Sequence, residues 1–109
     1  MSQNKFIAVF STISSQKAAE KIAVRLVEEK LAACVNITSK IKSVYAWKGK
    51  LYREGEFLML IKTRQSLYAR LEKRLKSLHP YETPEIIALP ILKGSPGYLS
   101  WLTANTVAR

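Results

Sequence analysis

The sequence predicts an α+β fold in which two amphipathic helices cover one face of an antiparallel sheet. Three observations predict it. Apolar residues recur with helical period in two separate segments, near residues 14–30 and 67–78. Period-two or continuous apolar runs flank both segments, and the order along the chain is β-α-β-β-α-β. This split βαβ order is the ferredoxin-like architecture, which hosts many unrelated functions, so topology alone assigns none.

The first strand is residues 6–13, FIAVFSTI, whose β-branched and aromatic residues predict a buried, central position. In SSQKAAEKIAVRLVEEK, residues Ala18, Ala19, Ile22, Ala23, Leu26 and Val27 repeat at helical spacing, with Ser14 or Ser15 as N-cap. The long stretch from Leu31 to Thr63 then changes to period two. Val35, Ile37, Ile41 and Tyr45 alternate with Asn36, Thr38, Lys42 and Ala46, and WKGK is a hairpin turn. Its arms, about residues 33–47 and 51–63, exceed the usual strand of about five or six residues, so they project beyond the sheet or carry a bulge. Leu67, Leu71, Leu75 and Leu78 form a second helical stripe, stopped at His79-Pro80. EIIALPI then predicts a last central strand, and Tyr98, Leu99, Trp101 and Leu102 an extra C-terminal helix.

A length of 109 residues predicts one domain over residues 1–109. Apolar residues at 48% and charged ones at 24% argue against disorder. One cysteine, Cys34, allows neither a disulfide framework nor a zinc cluster within one chain, which points to the cytoplasm. The N-terminal run is too short for a secretory signal, and no segment approaches a membrane span, so no membrane partner is expected.

The net charge of +10 raises nucleic acid as a partner. Its densest stretch, with Arg70, Lys73, Arg74 and Lys76, is first a solvated helix face. The strand GEFLMLIKT offers one Phe where an RNA-recognition strand stacks several aromatics, so no nucleic acid is expected. STISSQK lacks the arginine an acyl-phosphate site would use, and the one histidine has no nucleophile-elbow spacing beside it. No enzyme activity is expected.

The histidine sits in LKSLHPYETPEIIALP, between helix and strand. Pro80 stops the helix, and His79 in its last turn would face the negative end of the helix dipole. Tyr81 and Glu82 beside it make a ligand or metal site possible at the corner. Cys34, Trp47, Lys62 and Glu85 are further side chains capable of forming a site, although each also fits as a packing or edge residue.

Together, KLAACVNI, SVYAWKGK, LMLIKT, HPYETPEIIALPI and YLSWL stand in the order and spacing of the CutA family. The chain resembles that family over about residues 5–104. The resemblance implies a ferredoxin-like fold, a homotrimer in which long strands of neighbouring subunits pair, and a PII-like architecture. It also implies a non-enzymatic role in tolerance to divalent metals, copper especially. Its ligand set carries over in part, because some members have cysteine where this chain has Ser11 and a second histidine where it has Leu78. The expectation is a weak site for copper or zinc at His79, Glu82 and Cys34, with no metal required for folding. The alternative is a small-ligand cleft between subunits, lined by Trp47, Lys62, Tyr81, Glu82 and Glu85, as in PII-like sensors.

Overall fold

The computed structural model describes residues 5–107; residues 1–4 and 108–109 of the expected domain lie outside it. The elements are β1 (Phe6–Ile13), α1 (Gln16–Glu28), β2 (Cys34–Trp47), β3 (Lys50–Arg64), α2 (Tyr68–Leu78), β4 (Ile87–Pro90) and α3 (Pro96–Ala104). The strands form one sheet in the order β2-β3-β1-β4, with every neighbouring pair antiparallel.

Alternation along β1 sets the two faces. Ile7, Val9, Ser11 and Ile13 are buried, while Phe6, Ala8, Phe10 and Thr12 turn to the other side and are only half-buried. Pairing Val9 with Ile61 and Ser11 with Met59 continues the buried face onto β3. Ala19, Ile22 and Leu26 of α1 and Leu71 and Leu75 of α2 close over it. Each fully buried Leu or Ile contributes about 1.5–3 kcal/mol. Ser15 caps α1 by accepting the Ala18 N–H at 3.1 Å. Beyond α1, Lys30 adopts φ 59°, and the Leu31 N–H returns to the Leu26 carbonyl at 3.0 Å, turning the chain toward β2. Arg74 then clasps the helices together, with Nε 2.9 Å from Glu29 Oε1 and Nη2 2.8 Å from Oε2. That hydrogen-bonded guanidinium holds the Glu29 carboxyl below its usual range.

The hairpin both projects and bulges. Lys48 and Gly49, at φ 51° and 77°, make a two-residue turn with left-handed backbone at both positions, which matches the twist of its arms. Register shifts between Ile37 and Lys40, where residues 38 and 39 oppose Leu58 alone. The Thr38 hydroxyl accepts the Leu58 N–H at 3.0 Å and satisfies a donor in this irregular stretch of the ladder. The sequence expectation of one alternating series is corrected here. Val35 and Ile37 pack on the helix side, but beyond the bulge Ile41 and Tyr45 pair with Glu56 and Tyr52, on the other side.

A second correction concerns the last strand. β4 is an edge strand of four residues, all exposed, pairing Phe10 with Ile87 and Ala8 with Leu89. Its apolar run faces the side of the sheet away from α1 and α2, which a single chain leaves largely uncovered. Ile87 is 52% exposed and Leu89 44%. Near Phe6, α3 lies against that side, where Leu102 is buried and the Arg64 Nε donates to the Thr106 hydroxyl at 2.8 Å, and the corner after α2 lies against it near Glu56. No helix among the described residues is long and apolar enough to cross a membrane.

Candidate functional site

His79 ends α2 because Pro80 favours extended backbone before it; His79 has φ −83° and ψ 135°. Its ring does not face the last helical carbonyls. It reaches β1 instead, donating from Nε2 to the Thr12 carbonyl at 2.9 Å, while Nδ1 accepts the Tyr81 N–H at 3.1 Å. These partners assign the neutral Nε2–H tautomer. Burial at 7% exposure pushes the imidazole below its ordinary value of 6.5. Both ring nitrogens are engaged, so in this arrangement neither lone pair is open to a metal.

Tyr81 stands edge-on to that imidazole, with ring centroids 4.6 Å apart. Its hydroxyl donates to Glu56 Oε2 at 2.6 Å. Burial, and then the Glu56 bond, push the phenol up to about 12. Glu56 is only 4% exposed, a buried carboxylate that sequence reasoning missed. Its one sequence signal is a glutamate at the start of the apolar run FLMLI.

The corner after α2 and the projecting hairpin enclose a cleft of about 600 Å³. The bulge places Ser43, Tyr45 and Trp47 on one side of the ribbon with Tyr52, Glu54 and Glu56, and all six line the cleft. Tyr45 stacks on Tyr52 at 5.5 Å and donates its hydroxyl to Glu54 at 2.9 Å, which raises the Tyr45 phenol. Glu82 and Glu85 complete the opposite wall. The chain has eight acidic residues against eighteen basic ones, yet Glu54, Glu56, Glu82 and Glu85 share this cleft; among the described residues no Lys, Arg or His is part of its lining, and the Lys48 ammonium lies 3.9 Å from Glu82 beside it.

Of the residues expected at a site, Trp47, Tyr81, Glu82 and Glu85 line this cleft. Lys62 does not. It pairs across the ladder with Cys34, and its ammonium bonds the Asn36 side-chain oxygen. The Cys34 thiol lies 3.7 Å from the same oxygen and beside the Tyr98 phenol. Within one chain Cys34 therefore lies apart from His79 and Glu82, which share the corner after α2. Among the described residues, no group of three or more His, Cys, Asp or Glu side chains is placed to hold a metal ion. Ser11 points into the core under the helices, its buried hydroxyl without a partner among the described residues. This donor set does not fit a complete inner-sphere metal site.

Over residues 7–105 the sequence matches the family model described as CutA1 divalent ion tolerance protein. The divalent-cation tolerance protein CutA of Thermus thermophilus is 48% identical over 98 residues, covering 90% of this chain and 95% of that protein. Human protein CutA is 47% identical over 99 residues, covering 91% of this chain. The chain spans only about half the length of the human, mouse and Arabidopsis relatives, at 55%, 54% and 55%. A Thermus thermophilus Cut A1 structure superposes with a TM-score of 0.91 at 46% identity, covering 94% of this chain and 99% of that one. CutA1 from Oryza sativa gives 0.92 at 42% identity, covering 98% and 100%. With the family model matched over residues 7–105 and the fold shared with solved CutA1 structures, the chain belongs to the CutA1 divalent ion tolerance protein family.

Proposed function

We propose that this chain is a non-enzymatic cytoplasmic protein that binds divalent cations weakly in the carboxylate-lined cleft. The observation that carries this reading is that Glu54, Glu56, Glu82 and Glu85 line one cleft on a chain of net charge +10, without forming a direct chelating group. Carboxylates and retained waters suit hard or borderline cations, while soft Cu(I) would want a thiolate, and Cys34 lies elsewhere. The names of the relatives, divalent-cation tolerance proteins, support the same direction.

The titration that tests it uses Zn(II) and Cu(II) on the wild type, a Glu54→Gln/Glu82→Gln double variant, and His79→Ala. The expected wild-type Kd is ~10⁻⁴–10⁻³ M, weakened about tenfold in the double variant. Unchanged binding in that variant would remove the cleft from consideration. Loss in His79→Ala alone would return the site to His79, with its ring freed from Thr12.

The reading includes a homotrimer. β2 is a long edge strand, and the sheet side bearing Ile87 and Leu89 is apolar and uncovered. A threefold closure would satisfy both, since it pairs each free edge and leaves no open end. Sedimentation at micromolar concentration is expected to give three times the chain mass of 12.3 kDa, and a stable monomer would refute the assembly.

A further inference from the structure

A hydrated metal ion uses the carboxylates of this cleft but not its aromatic rings. Tyr45, Trp47, Tyr52 and Tyr81 all line it, and its volume of about 600 Å³ is that of an organic-ligand pocket, commonly about 300–1,000 Å³. The chain itself shows what those rings hold. The Lys48 ammonium lies 5.6 Å from the centre of the Trp47 ring and 3.9 Å from the Glu82 carboxylate. The Lys50 ammonium lies 5.7 Å from the centre of Tyr52. Two primary ammonium groups on methylene stems thus rest on two aromatic residues of the cleft, one of them also against a cleft carboxylate. The Lys48 and Glu82 side chains are 71% and 74% exposed, so their contact is loose and easily displaced.

We infer that the cleft takes an aliphatic diamine or polyamine, its ammonium groups set between aromatic faces and carboxylates and competing with Lys48 for Trp47 and Glu82. The inference rests on the cation-binding reading of the same cleft and names an organic class of cation for it. Charge selects a cation, the rings select one with an alkyl body, and the Lys48 contact marks where a primary ammonium sits.

Calorimetric titration of the full chain with cadaverine tests this, with Zn(II) titrated in parallel. Cadaverine is expected to bind saturably, about three- to tenfold more weakly in Trp47→Leu and about two- to fivefold more tightly in Lys48→Ala, where the internal competitor is gone. No saturable binding of cadaverine, or equal affinity in wild type and Trp47→Leu, overturns the inference. Zn(II) binding without cadaverine binding overturns the amine and leaves the metal reading standing. Cadaverine binding without Zn(II) binding supports the amine and removes the metal. Lys48, Trp47 and Glu82 are surface positions of the hairpin and corner, so circular dichroism of each variant is expected to match the wild type.

Discussion

His79→Ala is expected to destabilise the fold by about 2–4 kcal/mol, through lost packing and two orphaned backbone groups. The ring is buried, and it joins three parts of the chain: the end of α2, the Thr12 carbonyl of β1 and the Tyr81 N–H of the corner. Removing it leaves that carbonyl and that N–H without the imidazole they share. His79→Gln, which keeps a donor for Thr12, is expected to lose less. Acid dependence identifies the imidazole as the cause. In the unfolded chain it titrates near its ordinary 6.5, and in the fold burial holds it lower. The unfolded state therefore takes up the proton first as pH falls. The stability that His79 contributes is complete above 6.5 and is lost as pH drops from there through the lowered folded value, with a slope of at most about 1.4 kcal/mol per pH unit. Denaturant unfolding at fixed protomer concentration, repeated across that range, checks both statements. A midpoint unmoved in His79→Ala would show that the imidazole does not hold the corner in place.

The same residue illustrates what the sequence made legible and what it did not. Helix-stopping at His79-Pro80 follows from local backbone sterics, and so do the Ser15 cap, the strand at residues 6–13 and the WKGK turn. The role of the ring depends on Thr12, 67 residues away, which no local pattern encodes. Glu56 was missed for the same reason, because its burial depends on Tyr81, 25 residues on. Ladder arithmetic sets Lys62 apart from the cleft within one chain. Trp47 pairs with Lys50 at the turn, so Lys62 lies twelve residues down the ribbon, roughly 40 Å at the usual strand rise, and opposite Cys34. The bulge hid a second feature. Read at strict period two, Tyr45 and Trp47 share a side with Val35 and Ile37; one extra residue in β2 puts them in the cleft instead. β4 was read as central because apolar runs predict burial without saying whether the cover comes from the same chain.

Tyr81→Phe is expected to cost about 1.5–3 kcal/mol, the contribution of a hydrogen bond to a charged, buried partner. The substitution keeps the ring that packs on His79 and removes only the hydroxyl that Glu56 accepts. A double-mutant cycle with Glu56→Gln isolates that bond. The two single losses are expected to exceed their additive share by at least about 1 kcal/mol, as for residues in direct contact. Alkaline pH supplies an independent reading. The phenol is raised from 10.0 to about 12 in the fold, so its stabilisation is complete below 10 and lost as pH rises through about 12. Wild-type stability should fall across that window more steeply than that of Tyr81→Phe. Tyr45, Tyr68 and Tyr98 are raised as well, so ultraviolet titration should show the late-ionising absorbance of the folded wild type reduced by one tyrosine in the variant. The proposed cation binding is expected to depend on this bond, because Tyr81 anchors the wall bearing Glu82 and Glu85 to the hairpin that supplies Glu54 and Glu56. Freed from Glu56, that wall keeps the His79 contact to β1 and the loose Lys48–Glu82 contact to the hairpin. The carboxylates then meet a cation less pre-organised, and Tyr81→Phe is expected to weaken Zn(II) binding about two- to tenfold. Zn(II) affinity equal to wild type in a variant shown to have lost the Glu56 coupling would separate the anchor from the cleft.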